Sequence, residues 1–140
     1  MLNTTHLLFS LFFSSFLINY LPANSLAAKI IFAALLLAGT FIPDIDLKIP
    51  FLKHRGVFHT AWPVIFAAAA GFFLPKMQFL FFPFAIGYAS HLFADMITPF
   101  GVAPFFPLIK KRIRGPVKTG TFLELGISAV ILAIMLVRGI

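Results

Sequence analysis

The segment MQFLFFPFAIGYASHLFADMIT, residues 77–98, decides the fold of this chain. It is almost entirely apolar, and its one histidine and one acid, His91 and Asp95, lie near its carboxyl end. A run of this length matches the ~20 apolar residues that cross the hydrocarbon core of a bilayer as a helix. We therefore predict a transmembrane helix that brings His91 and Asp95 to one membrane face.

Four more apolar stretches surround this segment, and prolines lie between them. Of the 140 residues, 61% are hydrophobic and 11% are charged, and the mean hydropathy of +1.03 is far above that of a soluble domain. We predict an all-α, polytopic transmembrane helix bundle of about five spans (four to five), forming a single integral membrane domain over residues 1–140. The four stretches are Leu7–Leu21, Ala27–Ile42, Val57–Leu74 and Phe122–Val137.

The first stretch has an alternative interpretation as a signal peptide. Ala23, Ser25 and Ala27 offer small residues near a plausible cleavage point. The residues before the stretch, however, include no Lys or Arg, whereas a secretory signal begins with positive charge. The composition therefore favours a retained helix.

The basic residues predict the orientation. With five spans, the amino terminus and the loops 43–56 and 99–120 share one side, which carries eight of the eleven Lys and Arg residues. An excess of Lys and Arg marks the cytoplasmic side, so we expect a multi-pass protein of the plasma or inner membrane with this side inside the cell. The eight are Lys48, Lys53, Arg55, Lys110, Lys111, Arg112, Arg114 and Lys118, against Lys29, Lys76 and Arg138.

The formal net charge of +7 does not predict a nucleic-acid partner. In a membrane protein, Lys and Arg first report orientation and contact with anionic lipid, so we expect membrane lipid as a partner and no nucleic acid. The run Lys110-Lys111-Arg112-Ile113-Arg114 fits a solvated loop that binds headgroups. The chain contains no Cys, which excludes disulfides, thiolate metal ligands and a thiol nucleophile.

All histidines and acids fall on the predicted cytoplasmic side. Ionisable groups at a membrane boundary are costly when unpaired and indicate a functional site. Because the candidate ligands are nitrogen and oxygen, they favour Zn, Mn or Fe over Mg as a bound divalent ion. The eight residues are His6, His54, His59, His91, Asp44, Asp46, Asp95 and Glu124.

Two pairs have spacings that suit metal binding. His91 and Asp95 are four residues apart, so on a helix they share a face and can hold one ion. Asp44 and Asp46 are two apart after the second stretch, and in an extended segment their carboxylates would point the same way. A hydrogen-bonded pair inside a bundle and a solvated loop are the respective structural alternatives.

The segment His54-Arg55-Gly56-Val57-Phe58-His59-Thr60 supplies further candidates. Gly56 would allow a tight turn before the third helix. We predict His59 as a metal ligand and Arg55 as a clamp for a phosphate or carboxylate, although Arg55 could equally be a topogenic charge. His54 could be a ligand, a general acid or a loop residue, and His6 either a ligand or only the start of the first helix.

Glu124 has the strongest purely structural alternative. Thr121-Phe122-Leu123-Glu124 matches the capping-box pattern, in which Thr and Glu each accept from a backbone amide at the start of a helix. A catalytic role and a capping role both remain open for this side chain.

Taken together, the motifs resemble the YdjM-like family of membrane-bound, metal-dependent hydrolases. The resemblance covers nearly the whole chain, and it implies a His and Asp metal centre with Asp44, Asp46, His59, His91 and Asp95 as metal-site residues. It implies probable site roles for His6, His54 and Glu124. Two departures stand out: Leu47-Lys48 follows Asp46 where such proteins usually have a His, and Phe58 stands where a Thr is expected.

We therefore predict an enzyme, a membrane-bound metal-dependent hydrolase acting on a small-molecule or lipid substrate such as a phosphoester. His6, Asp44, Asp46, His59, His91 and Asp95 are the predicted metal ligands, and His54, Arg55 and Glu124 the predicted catalytic residues. The alternatives are a proton or metal-ion transporter and a non-catalytic membrane protein with a structural metal. A transport relay should cross the bilayer, yet the opposite side offers only Lys29, Lys76 and Arg138.

Overall fold

The computed structural model describes residues 1–16, 25–47, 49 and 55–139. Within these residues there is no β-strand, only an isolated bridge between Val102 and Ile113. The all-helical class predicted from the sequence is therefore confirmed. The helices are α1 (Asn3–Ser15), α2 (Leu26–Phe41), α3 (Trp62–Phe73), α4 (Gln78–Met96) and α5 (Phe122–Val137), with short 3-10 helices at Ile42–Leu47, Val57–His59 and Pro75–Met77.

Three helices, α2, α4 and α5, lie within two residues of the predicted stretches. The third begins five residues late, at Trp62, because Val57–His59 forms a 3-10 turn and Thr60 is extended, with φ −117° and ψ 161°. Pro63 stands in the first turn of α3 and does not interrupt it, since the first turn needs no backbone donor there. Helix α1 begins at Asn3, and the predicted residues 17–21 lie outside the described part.

Two helical segments are long and apolar enough to cross a membrane. They are Leu26–Leu47 and Pro75–Met96, each of 22 residues, and each includes a flanking 3-10 helix. Helices α3 and α5 are apolar but shorter, with 12 and 16 residues. Large hydrophobic side chains are exposed along α5, including Val130, Leu136 and Val137. This surface suits an apolar environment.

Helix α4 lies at the centre, packed against α1, α2 and α3, while α5 packs against α1. Helices α2 and α4 cross with their backbones in contact. A Cβ on Gly39 would lie 2.2 Å from the Phe84 carbonyl oxygen, and a Cβ on Gly87 would lie 2.2 Å from that of Leu36. Small residues permit this close packing of membrane helices. The crossing fixes the carboxyl ends of α2 and α4 beside each other.

Hydroxyl groups join three helices near this crossing. The Ser10 Oγ on α1 lies 2.6 Å from the Ser90 Oγ on α4. Thr40 on α2 donates to the same Ser10 oxygen at 2.7 Å. All three side chains are buried, where a hydrogen-bonded polar group is tolerated and an unpaired one is costly. The hydroxyl cluster therefore holds α1, α2 and α4 together close to the histidines, since Ser10 is one turn after His6 and Ser90 directly precedes His91.

The segment between α4 and α5 closes the same end of the molecule. Val102 and Ile113 exchange two backbone hydrogen bonds, and Val117 donates to the Ile97 carbonyl. The Trp62 indole donates to the Phe106 carbonyl at 3.0 Å, which fastens the segment to α3. Val102 is fully buried by this arrangement. The loop 99–120 is thus an ordered cover over the end of the bundle, while Lys110, Lys111 and Arg114 of its basic run are exposed.

Candidate metal centre

All six predicted metal residues lie in the described part of the chain. Five of them converge at one end of the bundle, and the sixth, Asp46, contacts His59 from the side away from the other donors. Helix α1 contributes His6, α4 contributes His91 and Asp95, and the 3-10 helices contribute Asp44 and His59. The convergence follows from the alternating direction of the helices: the carboxyl ends of α2 and α4 meet the amino end of α1 and the turn before α3.

The donor atoms are spaced as ligands of one cation. Nε2 of His59 and Nε2 of His91 lie 3.4 Å apart. Oδ1 of Asp44 lies 3.4 Å from the first and 3.6 Å from the second. Oδ2 of Asp95 lies 3.5 Å from the first and 3.8 Å from the second. Ligands at about 2.0–2.1 Å from a tetrahedral metal are ~3.3 Å apart, so both triangles of donors are close to that geometry.

The donors are also deeply buried. His59 and His91 are fully buried and Asp95 is 1% exposed, whereas the Asp44 side chain is 24% exposed. Buried carboxylates and imidazoles at this spacing need a cation or protons between them to offset their loss of solvation. The donor set therefore fits a divalent transition metal, and the groups His59, His91, Asp95 and His6, Asp44, His91 each satisfy the spacing for one.

Asp46 lies on the other side of the His59 ring. Its Oδ2 is 3.3 Å from Nδ1 of His59, while Nε2 of the same ring faces the other donors. The sequence-based expectation of an extended segment is wrong here, because Ile42–Leu47 is a 3-10 helix and residues two apart point in different directions. The two carboxylates lie on opposite sides of the His59 ring, Asp44 at Nε2 and Asp46 at Nδ1. Asp46 has the position of a carboxylate that orients a metal-binding histidine.

His6 forms the inner wall of the cluster. Its ring stacks on His91 with centroids 4.0 Å apart and an interplanar angle of 11°. Its Nε2 lies 3.6 Å from Oδ1 of Asp95, and its Nδ1 has no hydrogen-bond partner among the described residues. The structure thus brings His6 to the site, as a third imidazole within reach of a metal.

Arg55 is locked against the centre. Its Nη2 donates to Oδ1 of Asp95 at 2.7 Å, its Nη1 donates to the Thr98 hydroxyl at 3.0 Å, and its backbone amide donates to Asp46 at 2.9 Å. Arg55 itself adopts the left-handed conformation with φ 59°, while Gly56, predicted to provide the tight turn, has φ −92°. A non-glycine residue held there is uncommon and costs energy that its hydrogen bonds must offset.

Two residues around Arg55 were not predicted as parts of the site. Thr98 accepts from its guanidinium, and Arg112 donates from Nη2 to the Arg55 carbonyl at 3.2 Å. Arg112 belongs to the run predicted to bind headgroups, since a Lys and Arg cluster gives no sign of which member turns inward. Only the fold of residues 97–121 brings Arg112 back to the site.

Glu124 lies beside the centre and holds the first helix in place. Its Oε1 accepts from the Leu2 amide at 2.7 Å and its Oε2 from the Gly120 amide at 2.6 Å. Thr121 makes no side-chain cap and donates instead to the Lys118 carbonyl, so only the Glu half of the capping-box pattern forms, displaced by one residue. His54, the remaining predicted catalytic residue, lies outside the described residues, as does Lys53.

One comparison with known proteins gave a match. A family model described as YdjM inner membrane protein matches residues 1–139 of this chain. No curated protein and no solved structure matches it.

Proposed function

This chain belongs to the YdjM inner membrane protein family, and we propose that it is a multi-pass, metal-dependent hydrolase whose active site lies at the cytoplasmic face of the membrane. The observation that carries the proposal is the pair of donor triangles built on His59 and His91. A buried cluster of imidazoles and carboxylates that share one small volume is typical of a metal centre.

In the proposed site, His59, His91, Asp44 and Asp95 hold a divalent cation such as Zn, Mn or Fe. Such an ion acts as a Lewis acid that polarises the scissile group and activates water. Asp46 fixes the His59 ring through Nδ1, and His6 packs against His91 and limits its rotation. Among the clustered side chains that the structure describes, Asp44 is the most exposed, at 24%, so its outer carboxylate oxygen can exchange a proton with water.

Arg55 supports an anionic substrate. Its guanidinium lies at the centre, where it donates to one oxygen of Asp95 and to the Thr98 hydroxyl, and its Nε has no hydrogen-bond partner among the described residues. A planar guanidinium binds phosphate and carboxylate oxygens through parallel hydrogen bonds. An ester of a phosphate, free or attached to a lipid, is therefore the substrate class we assign to the site. His54 remains a prediction for proton transfer.

The test is hydrolysis by the purified protein in detergent, reloaded with one metal at a time. Bis(p-nitrophenyl) phosphate and a phosphatidic acid are suitable substrates. We expect turnover that depends on the metal and that falls at least 100-fold in Asp95→Asn, because that variant loses a charged ligand and the partner of Arg55. Circular dichroism and gel filtration verify that the variant is folded. Metal-loaded wild type without activity on any phosphoester or carboxylic ester would contradict the hydrolase assignment.

One observation favours transport as a second candidate. The hydroxyls of Thr40, Ser10 and Ser90 form a chain that continues the polar site along the inside of the bundle. The Ser10 oxygen lies 2.7 Å from that of Thr40 and 2.6 Å from that of Ser90. Hydroxyl and imidazole chains also conduct protons in transporters. Proteoliposomes with a pH-sensitive dye distinguish the two functions: transport predicts proton or metal flux that Ser10→Ala abolishes, whereas the hydrolase predicts none.

A further inference from the structure

The metal centre can be reached from only one side in the described part of the chain. The side chains of His6, His59, His91 and Asp95 are each at most 2% exposed. Asp44 is 24% exposed while its Oδ1 faces the two histidines. Among the described residues, the Asp44 carboxylate is therefore the way by which a substrate can meet the centre.

A pocket lies at this point. It has a volume of about 230 Å³ and is lined by Asn3, Phe41, Asp44, Ile45 and Leu47. We call it the Asp44 pocket. One wall is the first turn of α1, and the other is the end of α2 with the 3-10 helix that follows it. The pocket combines two polar side chains, Asn3 and Asp44, with three apolar ones, Phe41, Ile45 and Leu47.

The apolar wall of the Asp44 pocket is itself open to the surroundings. Phe41, Ile45 and Leu47 are 38%, 39% and 62% exposed. All three belong to Leu26–Leu47, one of the two segments long enough to cross a membrane. Exposed apolar side chains on such a segment meet lipid more readily than water. The pocket therefore joins a polar site to a surface that favours hydrocarbon.

We propose that the Asp44 pocket binds a membrane lipid, with an oxyanion of its headgroup at the metal centre and an alkyl chain along Phe41, Ile45 and Leu47. This inference rests on the proposed function and specifies its substrate class: an amphiphile that enters sideways from the leaflet. A free soluble phosphoester would gain nothing from the apolar wall. Each methylene that packs on the wall contributes about 0.8 kcal/mol, which is roughly fourfold in affinity.

A larger apolar groove does not compete for this role. It lies between α1 and α4, has a volume of about 540 Å³, and is lined mainly by phenylalanines such as Phe12, Phe16 and Phe93. None of its lining residues is ionisable, and none is a predicted metal ligand. Arg138 lies over the Phe16 ring at 4.2 Å, but no metal-site residue lines this groove, so a headgroup that reaches the metal centre has its place in the Asp44 pocket.

The test uses binding and does not require turnover. The full chain is reconstituted in phosphatidylcholine nanodiscs and loaded with Co²⁺, whose visible spectrum changes when an anion joins the metal. Methylphosphonate and dodecylphosphonate are then titrated, and the ratio of their affinities is the readout. Because alkyl partition into the lipid is the same for every variant, only changes in this ratio between variants report on the pocket.

We expect the preference for dodecylphosphonate to fall about tenfold in the double variant Ile45→Ser with Leu47→Ser, since two apolar contacts are lost. The matched control is Leu132→Ser with Ile134→Ser, which changes the same residue types at similarly exposed positions on α5, 47% and 41%. The control should keep the wild-type ratio. An unchanged ratio in the pocket variant, or an equal loss in the control, overturns the proposal.

A second variant keeps the test decisive if the double serine variant does not fold. Ile45→Trp narrows the pocket, and we expect it to weaken binding of both phosphonates at least tenfold with cobalt content unchanged. Normal binding of both overturns the proposed route to the metal. Wild type that takes up no cobalt or other metal overturns the proposed function itself, which separates that failure from a failure of the lipid assignment.

Discussion

The two ring nitrogens of His59 face different carboxylates. Nε2 faces Asp44 and Asp95, and Nδ1 faces Asp46 at 3.3 Å. A carboxylate on the far nitrogen fixes the ring orientation and makes the imidazole a stronger donor. Asp46, which also accepts from the Arg55 amide, connects the two functional side chains of the turn 55–59. Its contribution to metal binding is therefore indirect.

The substitution Asp46→Asn should lower metal affinity by about 10–100-fold, because the amide cannot support His59 as a carboxylate does. Competition with a chromogenic chelator measures the affinity. Asp44→Asn is the comparison, and we expect a larger loss because Asp44 faces Nε2 of both histidines. Equal affinity in Asp46→Asn and wild type would show that Asp46 does not orient the ligand.

Glu124 is expected to stabilise the fold. In Glu124→Gln one of the two backbone amides, of Leu2 or Gly120, loses its acceptor, at a cost of about 1–3 kcal/mol. Thermal unfolding in detergent should therefore show a lower midpoint, while stoichiometric metal binding at low temperature is retained. An unchanged midpoint together with lost hydrolysis would instead support the catalytic role predicted for Glu124 from the sequence.

At the scale of elements, the crossing of α2 and α4 controls the site. Gly39 and Gly87 bring the two backbones together, and His91 and Asp95 follow one and two turns after Gly87 on α4. A change in the distance between these helices would therefore move Asp44 relative to His91. The same crossing positions Thr40 to reach Ser10 on α1.

Gly87→Ala should destabilise the protein by about 1–3 kcal/mol, since the new methyl group would lie 2.2 Å from the Leu36 carbonyl oxygen. Gly126→Ala is the matched control on α5, where a Cβ meets nothing within 4 Å, and it should be neutral or stabilising. Chemical unfolding in mixed micelles gives the two free energies. A Gly87→Ala variant as stable as Gly126→Ala would contradict the close crossing.

Part of this element-scale arrangement was predictable. Apolar length located α2, α4 and α5, and four-residue spacing placed His91 and Asp95 on one helix face. The two 3-10 helices were not predictable, because Ile42–Leu47 and Val57–His59 are shaped by contacts with distant residues such as Arg55 and Tyr88, whose hydroxyl donates to the Phe58 carbonyl. The opposing directions of Asp44 and Asp46 follow from that local geometry.

Across the whole molecule, the fold brings His6, Asp44, His59, His91 and Asp95 to one end, although they come from distant parts of the sequence. The partners of individual charges could not be predicted, since Arg55 and Asp95 are forty residues apart in sequence and Arg112 reaches Arg55 from a separate loop. Charge counting indicates a side of the membrane, and only tertiary packing selects which arginine turns inward.

The five-span orientation can be tested directly because the chain has no native cysteine. Lys111→Cys and Lys76→Cys each place one thiol at an exposed position, on opposite sides of the predicted topology. In intact cells, a membrane-impermeant maleimide should label Lys76→Cys and spare Lys111→Cys, and it should label both after permeabilisation. The reverse pattern would place the metal centre on the outer side.

Metal content tests the central claim most directly. Wild type purified in detergent is compared by inductively coupled plasma mass spectrometry with a folded His91→Ala and Asp95→Ala double variant, each incubated with Zn, Mn, Fe and Mg and then desalted. We predict on the order of one bound metal ion per wild-type chain and loss of that metal in the variant. A well-folded wild type that stays empty, or a variant that retains the same metal, would contradict the metal centre.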